Sequence, residues 1–198
     1  MDKVKDPLLY KIIRPIVKWL FIILYRPKIK GKKYIPKDGG IVLAGNHKNN
    51  LDCAILMAST KRCIHFLAKE ELFKGIFGWL FKGLGLIPVK RKTKDGKALP
   101  RSIKYLENEK VIGIFPEGTF NRGEDVILPF KIGAVKMAHD SKKKIVPFVI
   151  KGDYKIFKIK RGLRIEFFEP IEIVDDNLDK ENERLMKFIS DKLTDSEV

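Results

Sequence analysis

Cysteine is scarce in this chain: its 198 residues hold two, Cys53 and Cys63. Such a pair builds no disulfide framework, and no His or Cys stands at zinc-ligand spacing. A reducing, cytosol-facing compartment and no bound metal are expected. RNP, zinc-finger and Gly-Lys-Ser/Thr phosphate-loop patterns are all missing, so no nucleic-acid partner is expected. No charge-free apolar run reaches the ~20 residues of a membrane span. A small-residue cleavage site is also missing near the start, which argues against a signal peptide. Without repeats or an evident linker, 198 residues suit one domain with a real core.

Positive charge is what the chain has in excess. Lys and Arg number 41 against 25 Asp and Glu, a formal net charge of +16. This predicts a negative partner: anionic lipid, nucleic acid, or a phosphorylated or acidic-carrier substrate. The lysines are spread along the chain, which speaks against a DNA-binding tail.

The segment "LLYKIIRPIVKWLFIILY", residues 8–25, is apolar except for Lys11, Arg14 and Lys18. At 3.6 residues per turn these cations share one face, opposite a wide apolar surface. Pro15 is expected to kink the helix. An amphipathic helix in the headgroup region, with snorkelling cations and Tyr10, Trp19 and Tyr25 at the interface, fits this pattern. The alternative is a helix packed on the protein's own core. The organisation expected is a membrane-interface helix over residues 1–28 and one globular domain over 29–198.

Further on, strands and helices alternate. "IVLAGN", "CIHFLAK", "LIPVKR", "VIGIFP", "KIVPFVIKG" and "LRIEFFEP" read as strands. "NNLDCAILMAS" reads as a helix capped by Asn, and "EELFKGIFGWLFKGLG" (70–85) as one helix with an apolar face. "GKALPRSIKYLENEK" reads as a helix interrupted near Pro100, and "FKIGAVKMAHD" and "NLDKENERLMKFISDKL" as further helices. The fold class expected is α/β: a single domain with a mixed sheet flanked by helices and an N-terminal amphipathic membrane-interface helix.

Within "AGNHKNNLDCA", residues 44–54, His47 precedes Asp52 by five positions. The spacing alone carries little, and an aspartate in a first helical turn is favourable against the dipole in any case. The context adds weight: His47 stands where a buried strand ends and a helix begins, a usual place for ligand sites in α/β folds. The turn of the helix brings Asp52 back to the imidazole, leaving the other ring nitrogen to take a proton from a hydroxyl. An unperturbed imidazole, with pKa ~6.5, is already populated in its base form at pH 7. A second loop, "FPEGT" (115–119), also follows a buried strand and offers an acceptor, backbone N–H groups and a hydroxyl.

The blocks "NHKNNLD", "KEELFKGIFGWLFKGLGLIPVKR", "FPEGT", "LPFKIGA" and "VPFVI" occur in this order. They resemble the glycerolipid acyltransferase family, whose members include 1-acyl-glycerol-3-phosphate acyltransferases. The resemblance implies an α/β lobe resting on a membrane through N-terminal helices. It implies His47 as general base and Asp52 as its orienting partner. Arg91 would contact the acceptor's phosphate, Glu117, Gly118 and Thr119 would help form the acceptor site, and Pro147 would line the acyl side. Two departures stand out. Asn49 occupies a place where the family commonly has a small hydroxyl residue, and Phe120 one where Arg or Ser is usual. Arg122 and Lys131 are candidates for the missing cation, since Lys131 stands where a helix N-terminus favours an anion.

Acyl transfer from a thioester to an alcohol needs a base for the proton and donors for the oxyanion. No Ser or Cys adjoins His47 as a nucleophile, and Cys53 begins an apolar helix, so direct transfer is expected. The expected acceptor is lysophosphatidate and the product phosphatidic acid. No cofactor is expected; the donor substrate is acyl-CoA or an acyl-acyl carrier protein. The apolar face with Phe73 and Phe77 lines an acyl groove or is ordinary core. A peripheral or monotopic place on the cytoplasmic face of the cell membrane is expected, against an anionic surface. The alternatives are another lysolipid or glycerol 3-phosphate as acceptor, or a non-enzymatic protein binding an anionic membrane or RNA.

Overall fold

A computed structural model describes residues 4–90, 96–156 and 162–195. The apolar runs become seven strands: β1 (Lys28–Lys30), β2 (Ile41–Gly45), β3 (Ile64–Lys69), β4 (Ile87–Val89), β5 (Val111–Ile114), β6 (Ile145–Lys151) and β7 (Arg164–Phe167). They form one sheet in the order β1-β7-β6-β2-β5-β3-β4. The five strands from β6 to β4 are parallel, whereas β7 runs antiparallel to β6 and β1 follows β7, so the sheet is mixed. β2 is buried at all five positions, as a parallel strand covered on both faces must be.

Among the described residues, six α-helices cover the sheet: α1 (Leu8–Tyr25), α2 (Asp52–Ser59), α3 (Gly78–Gly83), α4 (Ala98–Glu107), α5 (Gly133–Ser141) and α6 (Leu178–Thr194). Alternation along the strands divides the core. Leu43, Ile64, Phe66 and Phe148 pack with α1 and α2 on one face, joined by Leu84 beyond α3. Val42, Ala44, Ile112 and Val149 pack with α4, α5 and α6 on the other.

Several elements differ from the sequence reading. α1 runs without a break through Pro15, and it buries Tyr10 and Phe21 in the core against α2. The helix expected over 70–85 is two pieces, a 3-10 turn at Glu70–Phe73 and α3. Gly75 lies between them and Gly78 opens α3, where a Cβ would stand 2.1 Å from the Phe73 carbonyl oxygen. At Gly78 this sharp turn has no room for a side chain. α4 is uninterrupted because Pro100 falls in its first turn, where an N–H has no helical partner to lose. α2 begins at Asp52 rather than at an Asn cap.

Candidate active site

The parallel pairing of β2 with β5 brings two loops side by side at the C-terminal edge of the sheet. One carries His47 between β2 and α2, the other carries Glu117 after β5. Just beyond β2, Asn46 donates to the Ile150 carbonyl (3.0 Å) and accepts from the Ile150 N–H (2.7 Å), continuing the ladder to β6 with a side chain. This fixes the point at which the chain leaves the sheet, one residue before His47.

The His47 backbone is then held from both sides. Its N–H donates to Glu117 Oε1 (2.7 Å), and its carbonyl accepts the Asn121 N–H (2.9 Å). Glu117 Oε2 accepts the Leu128 N–H (2.9 Å), so both carboxylate oxygens of this buried residue serve to join loops. Burial pushes the Glu117 carboxyl above its ordinary range, and the Leu128 and His47 N–H groups pull it back. Glu117 therefore positions His47.

Asp52 Oδ2 lies 2.8 Å from His47 Nδ1 and accepts the N–H groups of Lys48 (2.7 Å) and Asn49 (2.9 Å). Its other oxygen accepts the Tyr154 hydroxyl. Asp52 is fully buried and makes four contacts, all from donors, so both of its buried oxygens are satisfied. With an acceptor at Nδ1, the neutral imidazole carries its proton there and presents a lone pair at Nε2. The ring stacks on Phe115 (centroids 4.0 Å apart, planes at 8°) and is flanked by Phe120 at 4.3 Å. Two aromatic faces fix the imidazole plane and leave the Nε2 edge for a substrate.

Gly118 has φ +68°, and a Cβ there would stand 2.9 Å from Lys131 Nζ. The left-handed backbone is what favours glycine here. Lys131 is tied to the same loop through its N–H to the Pro116 carbonyl (2.9 Å). Thr119 is exposed at the loop tip. Arg122 is exposed as well, with its guanidinium 5.6 Å from the Phe120 ring centroid. Phe120, which the family pattern marked as a lost cation, thus packs against His47 and holds a cation from two residues on. Arg91 lies outside the described residues.

The acyl-groove residues are not gathered together. Phe73 lines a cavity among Glu70, Lys74, Lys82, Leu86, Pro88 and Arg101, whereas Phe77 is exposed. Pro147 is buried within β6, three strands from β3. The reason is the glycine turn, which rotates the apolar residues of 76–79 away from the sheet.

Tyr154, Phe115 and Asn46 escaped the sequence reading. Asn46 adjoins His47 and follows a strand, which was a usable signal. Tyr154 lies 102 residues from Asp52, and no local pattern announces it. Burial first, then the Asp52 charge, hold its phenol well above the ordinary range, so it remains a donor. Tyr154→Phe leaves Asp52 with three donors and is expected to lower kcat by roughly tenfold with little change in KM. Steady-state kinetics check this; an unchanged kcat removes Tyr154 from the positioning network.

At the opposite edge, Asp6, Cys63 and His65 bring possible ligand atoms within 4.8 Å of one another, which the sequence spacing did not suggest. Lys110 already pairs with Asp6 at 2.9 Å, and burial pushes the Cys63 thiol up to about 12. The cluster as it stands is a protonated thiol beside an ion pair.

Residues 26–151 match a family model described as Acyltransferase. Among curated proteins, the 1-acyl-sn-glycerol-3-phosphate acyltransferase of Bacillus subtilis is 31% identical over 172 residues, covering 84% of this chain and 84% of its own length. That of Borreliella burgdorferi is 33% identical over 125 residues, 62% of this chain and 50% of its own. The human 1-acyl-sn-glycerol-3-phosphate acyltransferase alpha is 30% identical over 152 residues, 75% of this chain and 52% of its own. The chain therefore spans most of the first and about half of the other two. The crystal structure of the 1-acyl-sn-glycerophosphate (LPA) acyltransferase PlsC from Thermotoga maritima shares the fold. Its TM-score is 0.70 at 22% identity, over 93% of this chain and 76% of that one.

Proposed function

The chain belongs to the acyltransferase family, and from that premise we propose that it acylates the free hydroxyl of 1-acyl-glycerol 3-phosphate to give phosphatidic acid. The observation that carries the reading is the 2.8 Å contact between His47 Nδ1 and Asp52 Oδ2, with Nε2 free of partners among the described residues. Nε2 takes the acceptor's hydroxyl proton as the oxygen attacks the thioester carbonyl. A tetrahedral oxyanion forms, and we assign the N–H and hydroxyl of Thr119, exposed on the Glu117 loop, as donors to it. When the oxyanion collapses, the C–S bond breaks and the thiolate takes the proton back from His47. No acyl-enzyme intervenes.

Relatives named for 1-acyl-sn-glycerol-3-phosphate support this acceptor. So does the placement of cations on the Glu117 loop: Lys131 lies over Gly118, and Arg122 lies beside Phe120, the ring that flanks the imidazole. A cavity of about 410 Å³ lies beyond the His47 backbone, lined by Lys48 and Lys151 together with Glu117 and Asp125. The donor is an acyl thioester on coenzyme A or acyl carrier protein. Among the described residues no helix is long and apolar enough to cross a membrane. We place the chain on an anionic, cytoplasm-facing membrane surface through the outer face of α1, with its exposed Leu8, Ile12, Ile16, Trp19, Leu20 and Ile23.

An acceptor panel tests the assignment. Lys131→Ala or Arg122→Ala is expected to lower kcat/KM for lysophosphatidate by about 10- to 150-fold, the effect of one charge-assisted contact. Monoacylglycerol, without a phosphate, is expected to respond little. If both variants depress both acceptors equally, these cations are structural and the phosphate lies elsewhere.

A further inference from the structure

The turn that breaks the 70–85 segment leaves its largest apolar side chains in solvent. Ile76 is 84% exposed, Phe77 61% and Trp79 67%, with Leu72 beside them. These four residues contribute nothing to either core cluster. An isolated exposed apolar residue needs no explanation, but four within eight positions do. The same is true of α1, whose six exposed apolar side chains fall on one helical face.

The two patches lie on the same side of the molecule. α1 and α2 cover one face of the sheet. α3 returns along that face to meet the start of α1, where a Cβ on Gly83 would stand 2.6 Å from Leu9 Cδ2 and one on Gly85 2.6 Å from Pro7 Cγ. The opposite face is closed by α4, α5 and α6. Because β3 is parallel to β2, the 3-10 turn at Glu70–Phe73 leaves the sheet at the edge that holds His47.

We propose that the 72–79 turn is a second membrane-inserting element, which together with α1 forms one bilayer-facing surface bordering the active-site edge. This rests on the reading of α1 as a membrane-facing helix and extends it to a separate segment. The occupant is a lipid bilayer with anionic headgroups, and the charges and aromatics argue for it. Lys69, Lys74 and Lys82 surround the turn and outnumber its two carboxylates, Glu70 and Glu71. Lys18 Nζ lies 5.4 Å from the Trp19 ring centroid, so a cation sits beside this exposed aromatic. Both tryptophans of the chain, Trp19 and Trp79, stand on this surface, one in each half. A tryptophan with adjacent lysines is the composition of a membrane–water interface. A surface so oriented lets a lysolipid present its hydroxyl to His47 without leaving the bilayer.

With one tryptophan in each half, fluorescence separates the two elements. In the full-length Trp19→Phe protein, Trp79 is the sole reporter; in Trp79→Phe, Trp19 is. Each protein is mixed with vesicles of phosphatidylcholine and phosphatidylglycerol carrying brominated acyl chains, and binding is followed by sedimentation. The expected result is blue-shifted, quenched emission from both reporters. Ile76→Ser/Phe77→Ser in the otherwise unaltered chain should weaken vesicle partitioning by roughly 30-fold or more. Quenching of Trp19 alone in vesicle-bound protein overturns the inference and leaves α1 as the anchor. A blue shift of Trp79 that grows with protein concentration without lipid overturns it in favour of a second copy. Acyl transfer is not the readout, so neither failure bears on His47 or Asp52.

Discussion

Replacing His47 by alanine is expected to abolish nearly all acyl transfer and leave the fold intact. The imidazole is the group here with a free lone pair at the edge where two loops meet, and a positioned base contributes ~10²–10⁴ in rate. Its side chain touches Phe115, Phe120 and Asp52, whereas its backbone contacts to Glu117 and Asn121 survive the substitution. The loop is therefore expected to stay in place. The measurement is kcat on lysophosphatidate together with a melting curve. Retention of more than about a tenth of wild-type turnover would falsify the general-base assignment.

Asp52 is expected to matter almost as much, for a reason the contacts make specific. An asparagine there can keep its amide oxygen toward His47, Lys48 and Asn49, and its NH₂ can donate to a rotated Tyr154 hydroxyl. Geometry and tautomer are then retained. What disappears is the negative charge that stabilises the imidazolium formed during transfer. Opposite charges ~4 Å apart at an effective dielectric near 20 interact by about 4 kcal/mol. Asp52→Asn is thus expected to lower kcat on the order of 10²–10³ with a nearly unchanged melting temperature. Asp52→Ala instead strands the Lys48 and Asn49 N–H groups. It is expected to cost at least ~2 kcal/mol of stability, roughly 4–8 °C in Tm for a chain of this size. Equal activity loss with equal melting loss in both variants would make Asp52 a structural residue only.

The dyad was legible because its residues are five apart and flank a strand-to-helix junction, so local pattern and ordered sequence blocks agreed on it. The strands were legible for the same local reason: β2 and β6 are apolar at nearly every position, as strands covered on both faces are. What the sequence hid is non-local or steric. Tyr154 reaches Asp52 through the order of strands, and Phe115 stacks on His47 because β2 and β5 are neighbours, which hydropathy does not encode. The apolar spacing of 70–85 has a helical period, but a backbone approach at Gly78 overrides it and turns Ile76, Phe77 and Trp79 outward. The pattern of α1 suits both a membrane surface and a core. The helix has a face for the core, with Tyr10 and Phe21, and another that is exposed.

The most direct measurement of one-step transfer to lysophosphatidate uses the purified chain on phosphatidylcholine–phosphatidylglycerol vesicles. It is given lysophosphatidate with acyl-CoA and, separately, with acyl-acyl carrier protein. Mass spectrometry follows the lipid product and the intact protein together, including a sample with donor but no acceptor. The expected result is phosphatidic acid from at least one donor and a protein mass that never gains an acyl group. Phosphatidic acid from neither donor, or an acylated chain that forms without acceptor and discharges when acceptor is added, would contradict it.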